Sequence, residues 1–295
     1  MSEKQVLAVD YGASGGRVML GGFDGASFTV SELHRFPNDP VKLGDTMYWD
    51  VLRLYFEMKQ GIVKSKAYGA ISGIGVDTWG VDFGLLDREG RLLDNPVHYR
   101  DGRTAGMMEK TLKMVGRDPL YELTGNQLME INTLFQLMAV KERRPELLER
   151  ADALLLMPDL FQYFLSGAKI SEKSIASTTQ MMDMRQGKWA FGLLETLGLQ
   201  AGMMRDILPG AVRTGSLRPE IRKELGVPAM EVIAVAGHDT QSAMAAIPAR
   251  EEDFLFISCG TWGLFGTELT EPVISEMSKK FNITNEAGLE GKYAF

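Results

Sequence analysis

The sequence predicts an α/β protein built on a mixed sheet flanked by helices, and three observations carry that expectation. Short apolar runs at Val6-Leu7-Ala8-Val9 and Val18-Met19-Leu20 flank a glycine turn, Gly12 to Gly16, near the start of the chain. Strand-like runs then alternate with segments whose apolar residues recur three or four positions apart. A second strand–glycine turn–strand unit opens at Leu255 and repeats the outline of the first.

Taken in order, Val6–Val9 reads as a buried strand, Val18–Leu20 as its return and Phe28–Phe36 as a third strand, an antiparallel meander. Asp50 caps the first helix, with Val51, Leu54, Tyr55, Met58 and Ile62 at helical spacing. Ile71–Val76 is another buried strand, followed by a hairpin-like stretch, Gly80–Leu93, turning at Asp87-Arg88-Glu89-Gly90. The middle reads as helical over Met107–Val115, Thr133–Glu142, Pro145–Ala151, Asp159–Leu165, Trp189–Leu197 and Pro219–Leu225, with many of the 18 methionines there as packing filler. A strand, Val232–Val235, then hands over through Gly237 to a helix, Asp239–Ile247, stopped by Pro248. An acidic loop, Arg250–Asp253, leads into the strand Phe254–Ser258. The repeated hairpin places a domain boundary near Pro248, giving a first domain over 1–248 and the start of a second over 249–295.

Composition narrows the class. The 295 residues carry 32 Lys and Arg against 39 Asp and Glu, a net charge of −7, with 45% hydrophobic residues. That is ample apolar material for a core, and an acidic balance without basic blocks argues against a nucleic-acid or basic membrane face. One cysteine, Cys259, cannot form an internal disulfide. The start MSEKQVLAVD has too short an apolar run for a signal peptide, and no stretch is long enough to span a bilayer, so a cytoplasmic location is expected. Asn282-Ile283-Thr284 fits the glycosylation sequon and is read as a chance match.

Three segments carry chemistry. In Gly12-Ala13-Ser14-Gly15-Gly16-Arg17, glycines would let backbone N–H groups approach an anion, Ser14 adds a donor and Arg17 a charge. Asp10, at the end of the preceding strand, would hold Mg²⁺ directly or through water. The same residues also read as a plain tight turn, and spacing alone does not choose. The G-x-S-x-G spacing of a hydrolase elbow lacks its strand–turn–helix context here. No P-loop motif occurs, and Gly73 to Gly80 misses the dinucleotide fingerprint by one residue and leads into another strand.

Gly237-His238-Asp239-Thr240 stands where a buried strand gives way to a helix, the place where open α/β sheets bind ligands. Asp239 there would accept a proton from an attacking hydroxyl, which suits the loose transition state of phosphoryl transfer. It equally reads as an N-cap, the role local sequence favours. His238 is a ligand contact or a satisfied interior side chain, and three scattered histidines with one cysteine do not make a His/Cys metal site. Asp77-Thr78-Trp79-Gly80-Val81-Asp82-Phe83-Gly84 mixes carboxylates, an indole and glycines as a polyol site would, and Asp94, Asn95, His98, Arg100, Asp101 and Arg103 continue the polar series. A core tryptophan with acids in turns explains each residue as well.

Together these segments resemble the FGGY carbohydrate kinases. The resemblance rests on Ala8 to Val18, Gly75 to Phe83, Pro96 to Asp101, Asn132 to Leu137, Leu155 to Asp159, Gly237 to Ala243, Ser258 to Trp262 and Ile283 to Gly288, in order along the chain. It implies two actin-like domains, each on a ribonuclease-H-like sheet, with the active site in the cleft between them. It implies transfer of the ATP γ-phosphoryl group to the 1-hydroxyl of L-rhamnulose in rhamnose catabolism. By match, Ala13, Ser14, Gly15, Gly16 and Arg17 would be the first phosphate hairpin, Asp10 would lie near Mg²⁺ and Thr261 would contact phosphate from the second hairpin. Asp239 would be the general base, with Gly84, His238 and Thr240 as sugar contacts.

Family members continue beyond the point where this chain stops, with most of the adenine pocket expected there. The expectation is therefore weak ATP binding and slow or no turnover by these residues alone. Other readings are a kinase for another ketose such as L-fuculose, a non-catalytic sugar-binding actin-like domain and, last, a hydrolase using Ser14. The sequence leaves the oligomeric state open, with a monomer favoured.

Overall fold

A computed structural model describes residues 4–251, 253–260 and 262–295. Its central sheet has six strands: β1 (Lys4–Gly12), β2 (Gly15–Phe23), β3 (Phe28–Pro37), β4 (Gly73–Thr78), β5 (Val212–Ser216) and β6 (Glu231–Ala234). Their order is β5-β6-β4-β1-β2-β3. The first three strands form the antiparallel meander that the glycine turn implied, and β4 lies parallel to both β1 and β6. Strand β5, which carries few apolar residues and was not expected, closes the far edge antiparallel to β6.

Alternation decides which side of the sheet is covered. Leu7, Val9 and Tyr11 of β1 are buried, as are Val18 of β2 and Ile74 and Val76 of β4. Against this side pack the helices Val51–Lys64 and Met157–Ser166, whose Phe161 ring stacks on Tyr11 at 4.4 Å. The Tyr11 hydroxyl donates to Leu54 O at 2.8 Å, so the one polar atom on this buried ring is satisfied. Gly61 lets helix and sheet touch: a Cβ there would sit 2.4 Å from Val18 Cγ2. Residues 6, 8 and 10 of β1 point the other way, and this places Asp10 on the less covered side.

A second core lies beneath the helices of the middle segment. Met107, Met181, Met182, Met184 and Met203 are buried in it beside Phe135, Leu137 and Leu194. Helices form at Met107–Val115, Thr133–Arg143, Pro145–Arg150 and Pro219–Leu225. Arg117–Thr124 is an additional helix whose Pro119 and few apolar residues hid it. Lys188–Trp189 pairs as a short strand, so the helix expected from Trp189 begins at Phe191. The stretch from Gly80 is only partly a hairpin. Its turn forms, with Asp87 N donating to Arg91 O, but Phe83–Leu86 finds its strand partner in Ala153–Leu156, some seventy residues away.

Beyond residue 249 a second hairpin, Leu255–Cys259 with Gly263–Leu269, joins the short strands Tyr293–Ala294 and Glu286–Ala287 in a separate four-stranded sheet. The chain around Asn285 returns to the helical layer, where Asn285 Nδ2 donates to Gly125 O and Tyr121 donates to Ile283 O. Asn282 is engaged through both amide atoms with the backbone of Leu128. Cys259 is exposed and unbridged, and among the described residues no helix is long and apolar enough to cross a membrane.

Candidate active site

Strands β1, β4 and β6 end side by side, and the loops beyond their carboxyl ends surround a cleft of about 1190 Å³. Asp10 on β1 and Asp77 on β4 are register partners, and Arg17 on β2 is the partner of Asp10 on its other side. Arg35 on β3 extends this row, so charge runs from negative to positive across one face of the sheet. Arg17 Nε lies 3.3 Å from Asp10 Oδ2. Burial raises the carboxyl of Asp10 above its ordinary value, opposed by Arg17 and reinforced by Asp239. Asp77 is pushed well above the usual carboxylate range by burial and by the neighbouring charges of Asp10 and Asp239.

The glycine turn stands at one end of this row. Gly12 pairs with Gly15, leaving Ala13 and Ser14 as a two-residue turn whose residues line the cleft together with Gly16 and Arg17. Ser14 is exposed, with its carbonyl accepting from Asn38 N. Gly16 has a packing reason to lack a side chain, because a Cβ would lie 2.4 Å from the Phe36 ring.

At the other end, β6 leads through Gly237 into the helix Asp239–Ala245. The cap position belongs to His238, with Asp239 as the first helical residue, so the N-cap reading of Asp239 does not hold. Its Oδ1 instead accepts from the backbone N of Thr240 at 2.7 Å and from the Thr240 hydroxyl at 3.3 Å, while the carboxylate remains partly open to the cleft. The turn is held from beneath by Glu172, a fully buried residue. Its Oε2 accepts from Gly237 N at 2.9 Å, from Ile175 N and from Ser174 Oγ, and Ser174 Oγ accepts in turn from His238 N at 3.2 Å. Burial lifts the Glu172 carboxyl above its usual value despite these donors.

His238 is buried, and its Nδ1 lies 2.8 Å from Glu286 Oε2. Burial alone would lower its pKa, but the carboxylate of Glu286, helped by Asp239, brings it up to about 9. Burial works against the Glu286 charge, yet His238 and Gln241 hold that carboxyl below its usual value.

The third wall is aromatic. The Trp79 and Trp49 indoles both donate to Asp82 Oδ2, at 3.0 and 2.6 Å, and Gln136 Nε2 donates to Asp82 Oδ1 at 2.9 Å. Buried at 1% exposure, Asp82 is an anchor for these rings, not a ligand for sugar hydroxyls; desolvation raises it to about 6. His98 stacks on Trp49 with centroids 4.0 Å apart. Between Trp79 and Asp82 the backbone is strained: Val81, a β-branched residue, has φ of 67°. Its N–H donates to Thr178 Oγ1 and its carbonyl accepts from Thr133 Oγ1 at 2.6 Å, which fixes the adjoining Gly80 in the cleft wall.

The structure thus brings together Asp10, Ala13 to Arg17, His238, Asp239 and Thr240 around one cavity. It does not bring Gly84 there. Gly84 is buried in the strand Phe83–Leu86, where a Cβ would lie 2.7 Å from Leu160 Cδ2, and it faces a separate cavity of about 380 Å³ that also takes Asp94, Asn95, Asp101 and Arg103. The glycine at the cleft is Gly80, whose added Cβ would be 3.4 Å from His238 Nε2. Thr261 lies outside the described residues, though its neighbours Gly260 and Trp262 line the cleft. Asp77 and Gly80 line the cleft as members of the polyol-like stretch, whereas Glu286 joins it with no mark in the local sequence.

A six-stranded sheet of this order, with its cleft beyond the parallel strand ends, defines an actin-like, ribonuclease-H-like α/β protein. The chain belongs to the FGGY family of carbohydrate kinases, whose N-terminal domain model matches residues 5–246. It is 41% identical over 291 residues to the rhamnulokinase of Oceanobacillus iheyensis, covering 98% of this chain and 61% of that protein. The rhamnulokinase of Bacteroides thetaiotaomicron is also 41% identical, covering 98% and 60%. Among solved structures, a gluconate kinase from Lactobacillus acidophilus superposes with a TM-score of 0.85 at 17% identity, over 99% of this chain and 59% of that one. A xylulose kinase from Rhodospirillum rubrum gives the same score, identity and shares. The chain therefore spans about three-fifths of the length of the curated relatives it matches.

Proposed function

We propose that this chain supplies the sugar-binding and phosphate-binding part of an ATP-dependent ketose kinase that phosphorylates L-rhamnulose on its 1-hydroxyl. The observation that carries the reading is the partly open carboxylate of Asp239, set in one cleft opposite Arg17 and the glycine turn. The extensive identity to rhamnulokinases supports the choice of sugar. On this reading residues 1–248 form the first domain and 249–295 the opening of a second.

Asp239 takes the proton of the 1-hydroxyl as the oxygen attacks the γ-phosphorus. The bond to the ADP leaving oxygen breaks, and the proton leaves later from the carboxyl to solvent. Little basicity is needed because the transition state is loose; the carboxylate mainly orients the nucleophile. Arg17 and the backbone N–H groups of Ala13 to Gly16 offset the charge on the phosphate oxygens. His238, Thr240 and Gly80 form the sugar side, with Trp79 covering the apolar C–H face. Among the described residues no three acidic, histidine or cysteine side chains converge on an ion. Mg²⁺ needs only one or two carboxylates besides phosphate and water, so Asp10 at the cleft wall fits it. The ion would neutralise charge between the phosphates.

Calorimetric titration of L-rhamnulose should give a one-to-one complex, with L-fuculose and D-xylulose bound more weakly. In a fusion that joins these residues to the remaining two-fifths of a matching relative, rhamnulose-dependent ADP release should fall roughly 10²- to 10⁴-fold in Asp239→Asn with folding unchanged. A chain that binds no ketose, or an Asp239→Asn variant that turns over normally, would overturn the proposal.

A further inference from the structure

Glu286 belongs to neither the glycine turn nor the Asp239 turn, yet it reaches the cleft from 48 residues beyond His238. Its Oε2 lies 2.8 Å from His238 Nδ1 and also accepts from Gln241 Nε2 at 3.2 Å, so the carboxylate is held from two directions. The other ring nitrogen, Nε2, lies 3.5 Å from Asp239 Oδ1. The His238 backbone is fixed as well, through its N–H to Ser174 Oγ and a parallel bridge to Thr78.

A neutral imidazole donates at one nitrogen and accepts at the other. With a carboxylate against each nitrogen, a neutral ring would aim a lone pair at one of them. The doubly protonated ring donates from Nδ1 to Glu286 and turns its charged Nε2–H side toward the Asp239 carboxylate. The charged groups around the ring are Glu286, Asp239, Glu172 and Asp77. Of these, Glu286 and Asp239 are the two that lie against the ring nitrogens, and Glu172 adds to the attraction.

We infer that Glu286 is a positioning residue: it holds His238 as an imidazolium with its Nε2–H at the cleft wall beside Asp239. The inference rests on the ketose-kinase reading for its consequence. A fixed donor next to the base selects a sugar whose oxygen beside the reacting hydroxyl accepts, as the C2 oxygen of a ketose does. It also leaves Asp239 as the only one of the two side chains free to take the proton of the hydroxyl.

The test is a pH titration of the three histidines, His34, His98 and His238, by NMR of the isotope-labelled chain, with His238→Gln assigning the third. The His238 ring should stay protonated through neutral pH and titrate near 9. Glu286→Gln should lower that midpoint by about one unit or more, and Glu286→Asp, which keeps the charge, should restore part of it. In parallel, L-rhamnulose affinity should fall roughly tenfold in Glu286→Gln and should decline further as pH rises past the new midpoint, a dependence that a purely structural role would not produce. A wild-type His238 that is neutral at pH 7, or a midpoint unmoved in Glu286→Gln, refutes the inference even if ketose binds. A ring that titrates as expected in a chain that binds no L-rhamnulose refutes the ketose reading and leaves the pair intact.

Discussion

The carboxylate of Glu172 accepts the backbone N–H of Gly237 at 2.9 Å across 65 residues of chain, and so ties the turn before Asp239 to the buried helical layer. The same oxygen takes Ile175 N and Ser174 Oγ, and Asp159 accepts from Glu172 N at 3.2 Å. Removing this hub strands several buried donors at once. Glu172→Ala should cost about 3 kcal/mol or more in urea unfolding, while Glu172→Gln, which still accepts, should cost less. Equal stability of Glu172→Ala and wild type would show that the hub is not what holds the turn.

Asp82 gives a pH prediction. Its carboxyl is raised from 3.8 to about 6 by burial, so between those values the folded chain holds a proton that the unfolded chain has lost. Stability is therefore fully present below about pH 4, falls as pH rises through the window and levels above about pH 6. The loss assigned to this group is roughly 3 kcal/mol. Urea unfolding at several pH values should show a slope in wild type that is flatter in Asp82→Asn; identical slopes would count against the assignment.

On the ketose-kinase reading, the two glycines after β4 should separate sugar contact from packing. Gly80→Ala places a methyl 3.3 to 3.4 Å from Thr178 and His238, tight but tolerable, and so should weaken L-rhamnulose binding roughly tenfold with little change in melting temperature. Gly84→Ala drives a methyl to 2.7 Å from Leu160 and should cost about 1–3 kcal/mol of stability, with affinity unchanged in the folded fraction. The opposite pattern would return Gly84 to the sugar site.

Gly16→Ala tests why the turn is glycine-rich. A methyl 2.4 Å from the Phe36 ring should destabilise the chain by about 1–3 kcal/mol, and Phe36→Leu in the same chain should recover part of that loss. If Gly16→Ala is as stable as wild type but loses phosphate affinity, the glycine serves the anion alone.

Much of the sheet and helix content was legible because period and capping act locally: the β1–β2 turn, the helix after Asp50 and the helix at Pro219 stand where spacing put them. What local pattern does not carry is pairing at a distance. The partner of Phe83–Leu86 is an apolar run seventy residues later, and nothing in Gly80–Leu93 distinguishes it from an arm of its own hairpin. The same limit governs the site. Asp239 could be picked out beside its histidine at the end of a strand, and it does line the cleft, but the adjacency of Asp10 and Asp77 exists only through the parallel pairing of β1 and β4. Glu286 has no local mark, because its role comes from the atom it meets. Gly80 and Gly84 look alike in sequence and differ only in what stands behind them.

The return of the chain at Asn285 has a consequence for the order in which the cleft matures. Asn126 Nδ2 donates to Asn285 O, and Ala287 N donates to Ser177 Oγ, so this segment docks on helices made more than a hundred residues earlier. During synthesis the sheet, the glycine turn and Asp239 are all available before Glu286 leaves the ribosome. Until that moment His238 has only Asp239 as counter-charge, and a nascent chain would present a shaped but electrically unfinished pocket.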